Sequence, residues 1–215
     1  MSLIHWWPLK GGQLIDYIGG VSLEGSLGST AYGRLFGTGW CSKTQIKTEN
    51  SQLKNAHSFS IAFWVKLAGT TSGTWADVFG LNLTNGTVTK PLRLEVTSAD
   101  NTVLKLFNND LLTGSGGAGY SIPIEKLVWT HFVIAKDDTT ITTYKNGSRI
   151  GSYNFVNAGY SNAWGTGEFH LGDAGDSSAF YGAFNDVRVY DHALSLAEAK
   201  ELSKGLMVHY TFDDD

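Results

Sequence analysis

Cysteine is almost missing from this chain. Cys41 stands alone, which excludes an internal disulfide and a cysteine-built metal cluster and leaves a packed thiol. Proline is scarce at 3 residues and charged side chains make up only 17%, while glycine reaches 26 and apolar residues 42%. That balance excludes a disordered or charge-extended chain and describes a globular one rich in tight turns. Basic residues are outnumbered, 16 Lys and Arg against 20 Asp and Glu, for a net charge of -4. No basic excess is left to neutralise phosphates, so nucleic acid and anionic membrane are excluded as partners and neutral ligands are expected. No apolar run is long enough to span a bilayer, and Met1 to Pro8 lacks the basic stretch and apolar run of a secretory signal. A Gly-x-Ser-x-Gly elbow, a Walker loop and a Gly-x-Gly-x-x-Gly fingerprint are also missing, so the glycines are turn glycines.

Strand signals fill the remainder. Phe59, Ile61, Phe63, Val65 and Leu67 alternate with Ser60, Ala62, Trp64, Lys66 and Ala68, giving one core face. Val78 to Leu83 runs into Asn85-Gly86, a pair that reaches positive φ cheaply in a hairpin. Leu92 to Val96 and Val103 to Phe107 make a second hairpin around Ser98 to Asn101. Val128 to Ala135 is apolar on both faces, the mark of a central strand covered on two sides. Ile141 to Tyr144 and Arg149 to Tyr153 flank Asn146-Gly147, and Glu168 to Gly172 and Ala183 to Tyr190 follow. The spacing predicts a two-sheet antiparallel sandwich or closed barrel. One helix is expected after Leu194, with Ser195 and Glu198 as a capping box and Gly205 past its end. Leu206 to Asp213 echoes Leu3 to Lys10, so residues 1–205 are read as one domain and 206–215 as the start of a following repeat or a C-terminal strand.

Three segments carry a resemblance. Ser58-Phe59-Ser60-Ile61-Ala62-Phe63-Trp64-Val65-Lys66 is the first, and Trp129-Thr130-His131-Phe132-Val133 with Tyr144-Lys145-Asn146-Gly147 the second. Leu171-Gly172 with Phe184 to Tyr190 and Ala193-Leu194-Ser195 is the third. In this order they resemble the laminin-G-like jelly-roll family of the concanavalin A-like lectin and glucanase superfamily. The resemblance implies an all-β, two-sheet antiparallel jelly-roll sandwich with one short C-terminal helix. It leaves function open among glucanases, lectins, calcium-dependent binders and structural modules.

The residues favour binding without catalysis. A retaining glucanase needs two carboxylates about 5–5.5 Å apart, and no strand here carries a Glu-x-Asp-x-Glu pattern. Sugar rings stack on aromatic faces, and Trp75, Tyr120, Tyr160, Trp164 and Tyr181 lie among Gly, Ser and Asn where a core role is harder to assign. Asn162, Asp173 and Asp176 are near enough in sequence to supply hydroxyl partners, against the plainer reading of aromatics packing loops onto the sandwich. Calcium is the candidate cofactor: Asp173 and Asp176 lie in a Gly-rich turn, and Asp16 and Asp186 are placed to join the first and last strands through a metal. Against it, Asp in such turns hydrogen-bonds its own backbone, and Asp186 pairs with Arg188 on one strand face. The expectation is a non-catalytic, lectin-like module of a larger attachment protein, with a cell-surface glycan or polysaccharide and neighbouring subunits as partners, at a virion or extracellular surface, bacteriophage first. A structural or oligomerisation module of a phage or bacterial surface assembly is the alternative, and a glycoside hydrolase the third reading.

Overall fold

A computed structural model describes residues 2–25, 28–30, 38–42, 46–48, 54, 56–70, 76–84, 89–96, 102–108, 120–154, 163–172 and 180–205. The strands are β1 (Leu3–Trp7), β2 (Gly28–Thr30), β3 (Thr38–Ser42), β4 (Ile46–Thr48), β5 (Ser58–Thr70), β6 (Ala76–Thr84) and β7 (Thr89–Val96). They continue with β8 (Val103–Asn108), β9 (Tyr120–Pro123), β10 (Thr130–Asp137), β11 (Thr140–Lys145), β12 (Ser148–Asn154), β13 (Ala163–Leu171) and β14 (Phe180–Tyr190), and helix α1 (Leu196–Ser203) closes the series. One sheet runs β12-β11-β10-β5-β14-β3-β2 with β1 added along β14, and the other runs β4-β13-β6-β7-β8-β9. Among the described residues, two antiparallel sheets and one short α-helix make the jelly-roll sandwich that the resemblance implies.

The alternating rows lock the two sheets together. Phe59, Ile61, Phe63, Val65 and Leu67 are buried against Phe79, Leu81, Leu94 and Leu106 of the other sheet. Phe63 is the aromatic centre, with Phe79, Phe132 and Phe184 ring centroids 5.7, 6.1 and 6.2 Å away. Such burial is worth about 1.5–3 kcal/mol for each large side chain, and it dominates the energy of folding.

Turn chemistry sets the register. Asn146 and Gly147 both take positive φ, 49° and 75°, and join β11 to β12 as the Asn-Gly pair predicts. Helix α1 has the full capping box at Ser195 and Glu198, and Gly205 takes φ 73° beyond its end. The central strand starts later than the apolar pattern suggests. β10 begins at Thr130, because Leu127 turns the chain at φ 61° with its N–H on the Leu67 carbonyl, and Val128 is left 42% exposed. The Asn85-Gly86 turn, the side chain of Cys41 and the repeat-like segment 206–215 lie outside the described residues.

The two outer faces differ. On the eight-stranded sheet, Ala62, Val133, Ala135, Tyr144 and Tyr190 form an apolar patch with Leu194 and Ala199, so α1 covers this face. Trp64 lies on the same side and is buried against His131, with ring centroids 4.9 Å apart. On the six-stranded sheet, the positions next to the buried apolar residues include Asn82, Arg93, Glu95, Lys105, Ser121 and His170. Among the described residues, polar groups therefore line the sheet face that α1 does not cover.

Candidate functional site

Four residues from three strands converge on that polar face. Asp77 on β6 and Glu95 on β7 are direct register partners, and Arg93, two residues before Glu95, shares their side of the sheet. The Arg93 Nη1 lies 3.7 Å from Asp77 Oδ2 and 3.7 Å from Glu95 Oε1. His170 on β13 donates from Nε2 to Asp77 Oδ2 at 3.3 Å. Its ring lies over Gly80, its register partner, and that bare position is what lets the imidazole reach across the strand.

Exposure divides the four into two layers. The Asp77 and Glu95 carboxylates are 3% and 5% exposed, whereas His170 and Arg93 are 16% and 29% exposed. Two buried carboxylates thus orient a guanidinium and an imidazole that reach solvent, an arrangement that fixes donors before a ligand arrives. Among the described residues, Asp77 Oδ1 accepts no hydrogen bond. The set can donate to the ring oxygens and hydroxyls of a sugar and hold their geometry.

A second polar constellation ties down the first loop. Asp16 accepts from the Trp6 and Ile18 N–H groups on Oδ1, both at 3.0 Å, and from Val21 N–H on Oδ2 at 3.1 Å. The buried His5 Nδ1 adds a 2.6 Å bond to Oδ2, which sets the tautomer. Burial pushes the Asp16 carboxyl up, but these four donors outweigh it and hold it below its ordinary value. Asp186 takes φ 54° and its Oδ1 accepts from Trp6 Nε1 and from Arg188 Nε, both at 2.8 Å. Trp6 therefore bridges Asp16 and Asp186, through its backbone and its indole, where the sequence suggested a metal. These two carboxylates, occupied by protein donors and flanked by a guanidinium, are a poor match for a calcium cradle as folded, and no cluster of three or more His, Cys, Asp or Glu among the described residues is arranged to hold a metal.

The sugar-site expectations fall in several places. Tyr120 opens β9 with its backbone opposite Leu106, and Trp164 lies on β13 opposite Leu83. Tyr181 is half-buried on β14 opposite Ser42 and Gly69, so it belongs to the eight-stranded sheet and Trp164 to the six-stranded one. Trp75, Tyr160, Asn162, Asp173 and Asp176 lie outside the described residues. In sequence, Trp75 comes two residues before Asp77 and Asp173 three residues after His170. Asp77, Arg93, Glu95 and His170 were not singled out from the sequence. Their signal is local and thin: Arg93 and Glu95 alternate with Leu92, Leu94 and Val96, and His170 sits between Phe169 and Leu171.

Comparison with known proteins identifies the family and the fold. A laminin-G-type family model, described as the concanavalin A-like lectin/glucanases superfamily, matches residues 41–200. No curated protein matches the chain. Domain 4 of AbnA, a GH43 extracellular arabinanase from Geobacillus stearothermophilus solved in complex with arabinotriose, aligns with a TM-score of 0.69 at 18% identity, covering 94% of this chain and 98% of that one. The botulinum neurotoxin serotype G binding domain aligns at 0.66 and 15% identity, covering 94% of this chain and 51% of its own. A botulinum neurotoxin type C structure, from work reporting cell entry dependent on two ganglioside molecules, aligns at 0.69 and 12% identity, covering 96% and 52%. The chain spans about half the length of these toxin structures, and at such identities the likeness establishes the fold.

Proposed function

The chain belongs to the concanavalin A-like lectin/glucanases superfamily, and from that premise we propose that it is a non-catalytic carbohydrate-recognition module of a larger attachment protein at a virion or extracellular surface. One observation carries the reading: the guanidinium of Arg93 and the imidazole of His170, both partly exposed, are held by buried carboxylates on the sheet face away from α1. Solved neighbours of the fold with arabinotriose or ganglioside partners support a glycan as the ligand. Burial of the acid pair supports binding without turnover. A glycosidase must bring an acid and a base to the scissile bond, and here both carboxylates lie beneath the donors and face one guanidinium. Glycan-array screening of the whole chain tests the reading. Binding that is lost in Arg93→Ala and unaccompanied by cleavage products is expected; released sugar would overturn the non-catalytic assignment.

A second reading, an assembly module, is favoured by a different surface. Ile15, Tyr17 and Ile18 are each about half exposed on the loop that Asp16 fixes, and Tyr17 leans on Trp6 with ring centroids 5.7 Å apart. A rigid apolar knuckle loses little entropy on docking against a neighbouring subunit. Light scattering on Ile15→Ser/Ile18→Ser tests it, since an oligomer that dissociates in the variant supports assembly.

A further inference from the structure

Register builds a line of basic residues that the chain's overall negative charge conceals. Lys47 on β4 pairs with His170 on β13, His170 with Gly80 on β6, and Gly80 with Arg93 on β7. Neighbouring strands stand about 4.8 Å apart, so this single row crosses about 14 Å of sheet with a glycine as its floor. Lys105 flanks it, paired with Glu95 one row along. The described side chains that reach solvent on these two rows, Arg93, His170 and Lys105, are cations or hydrogen-bond donors, with Ser121 at the margin. The acids among them, Asp77 and Glu95, are buried beneath and turned toward Arg93 and His170.

We propose that this row is the subsite for an anionic substituent, a carboxylate or a sulfate, on the recognised glycan. The inference rests on the glycan-binding reading and gives it a ligand class. A guanidinium matches either oxyanion with two parallel hydrogen bonds, and the imidazole that lies over Gly80 sets a second part-exposed donor group on the same row. The sequence alone suggests neutral ligands from a net charge of -4; strand register brings Lys47, Arg93 and Lys105 to neighbouring positions, which composition does not show.

Calorimetry with three probes, a galacturonic acid trisaccharide, a sulfated heparin hexasaccharide and neutral arabinotriose, decides the matter. At about 10 mM salt at least one anionic probe is expected to bind more than about tenfold tighter than arabinotriose, and the preference is expected to collapse by about 0.5 M salt. Which of the two anions leads identifies carboxylate or sulfate as the source. Lys105→Gln, on a half-exposed side chain, is expected to weaken the anionic probe several-fold. Arg93→Lys is expected to retain more affinity than Arg93→Ala, with thermal melting showing both variants folded. Equal, salt-insensitive binding of all three probes would overturn the anionic subsite and leave glycan recognition standing. No binding of any probe, together with an empty glycan array, would overturn both.

Discussion

Gly80 and His170 are register partners whose side-chain spaces overlap: a Cβ on residue 80 would lie 2.2 Å from His170 Cε1. The imidazole sits where any other residue would put a side chain, so the position of the His170 donor depends on what is missing from β6.

Gly80→Ala therefore acts on binding more than on folding. The new methyl meets the movable end of an imidazole, so the ring swings away from Asp77 while the strand keeps its pairing. Glycan affinity is expected to fall about tenfold, as in His170→Ala, while the thermal midpoint falls by only about 2–4 °C. Calorimetry and melting measured together check this; unchanged affinity in Gly80→Ala would show that the imidazole position is immaterial.

Phe63→Ala strikes the centre of the sandwich. The ring is fully buried and packs on three other phenylalanines, so truncation leaves a cavity between the sheets. A loss of about 3–5 kcal/mol in urea unfolding is expected, and a loss under about 1 kcal/mol would mean that the sheets do not interlock there.

Asp16 makes the first loop acid-sensitive. Four hydrogen bonds to its ionised form overcome burial and hold its carboxyl below the ordinary 3.8. The lower value in the folded state means the stabilisation is present above the unfolded value and is lost as pH falls through the folded one. Asp16→Asn should be less stable than the parent at neutral pH, with the gap closing below about pH 4. Urea titrations from pH 7 to pH 2.5 provide the comparison, and a constant gap would contradict the assignment.

Lys136 shifts in the same direction for a different reason. Its fully buried ammonium donates to the carbonyls of His57 and Asp138 at 2.6 and 2.7 Å. Burial lowers it from 10.5 to about 8, against the pull of Asp138 and Asp137. Between about pH 8 and 10.5 the unfolded chain holds this proton more firmly, so the folded state gains stability as pH rises through that window. Lys136→Met should lack the gain. Identical slopes for parent and variant across the window would refute it.

Much of the fold was legible because it was written locally. The Phe59 to Leu67 alternation, the Asn146-Gly147 turn and the Ser195 cap each act within a few residues, and β5, the β11–β12 hairpin and α1 follow them. Strands β2, β3 and β4 were not legible. They are three to five residues long, and two of them are rich in Gly, Ser and Thr without alternation; they form by pairing with one another or with distant β14 and β13. The polar site was hidden for the same reason. Asp77 and His170 stand 93 residues apart, and only strand register places them and Arg93 on one face. A paired-acid pattern sought along one strand misses two acids paired across two.

Chemical-shift mapping of the isotope-labelled chain with its best array glycan tests the central claim most directly. The account predicts perturbations concentrated at Gly80, Arg93, Lys105 and His170, with no cleavage of the glycan over the titration. Perturbations confined to the Asp16 loop or to α1, with the six-stranded sheet silent, would contradict it.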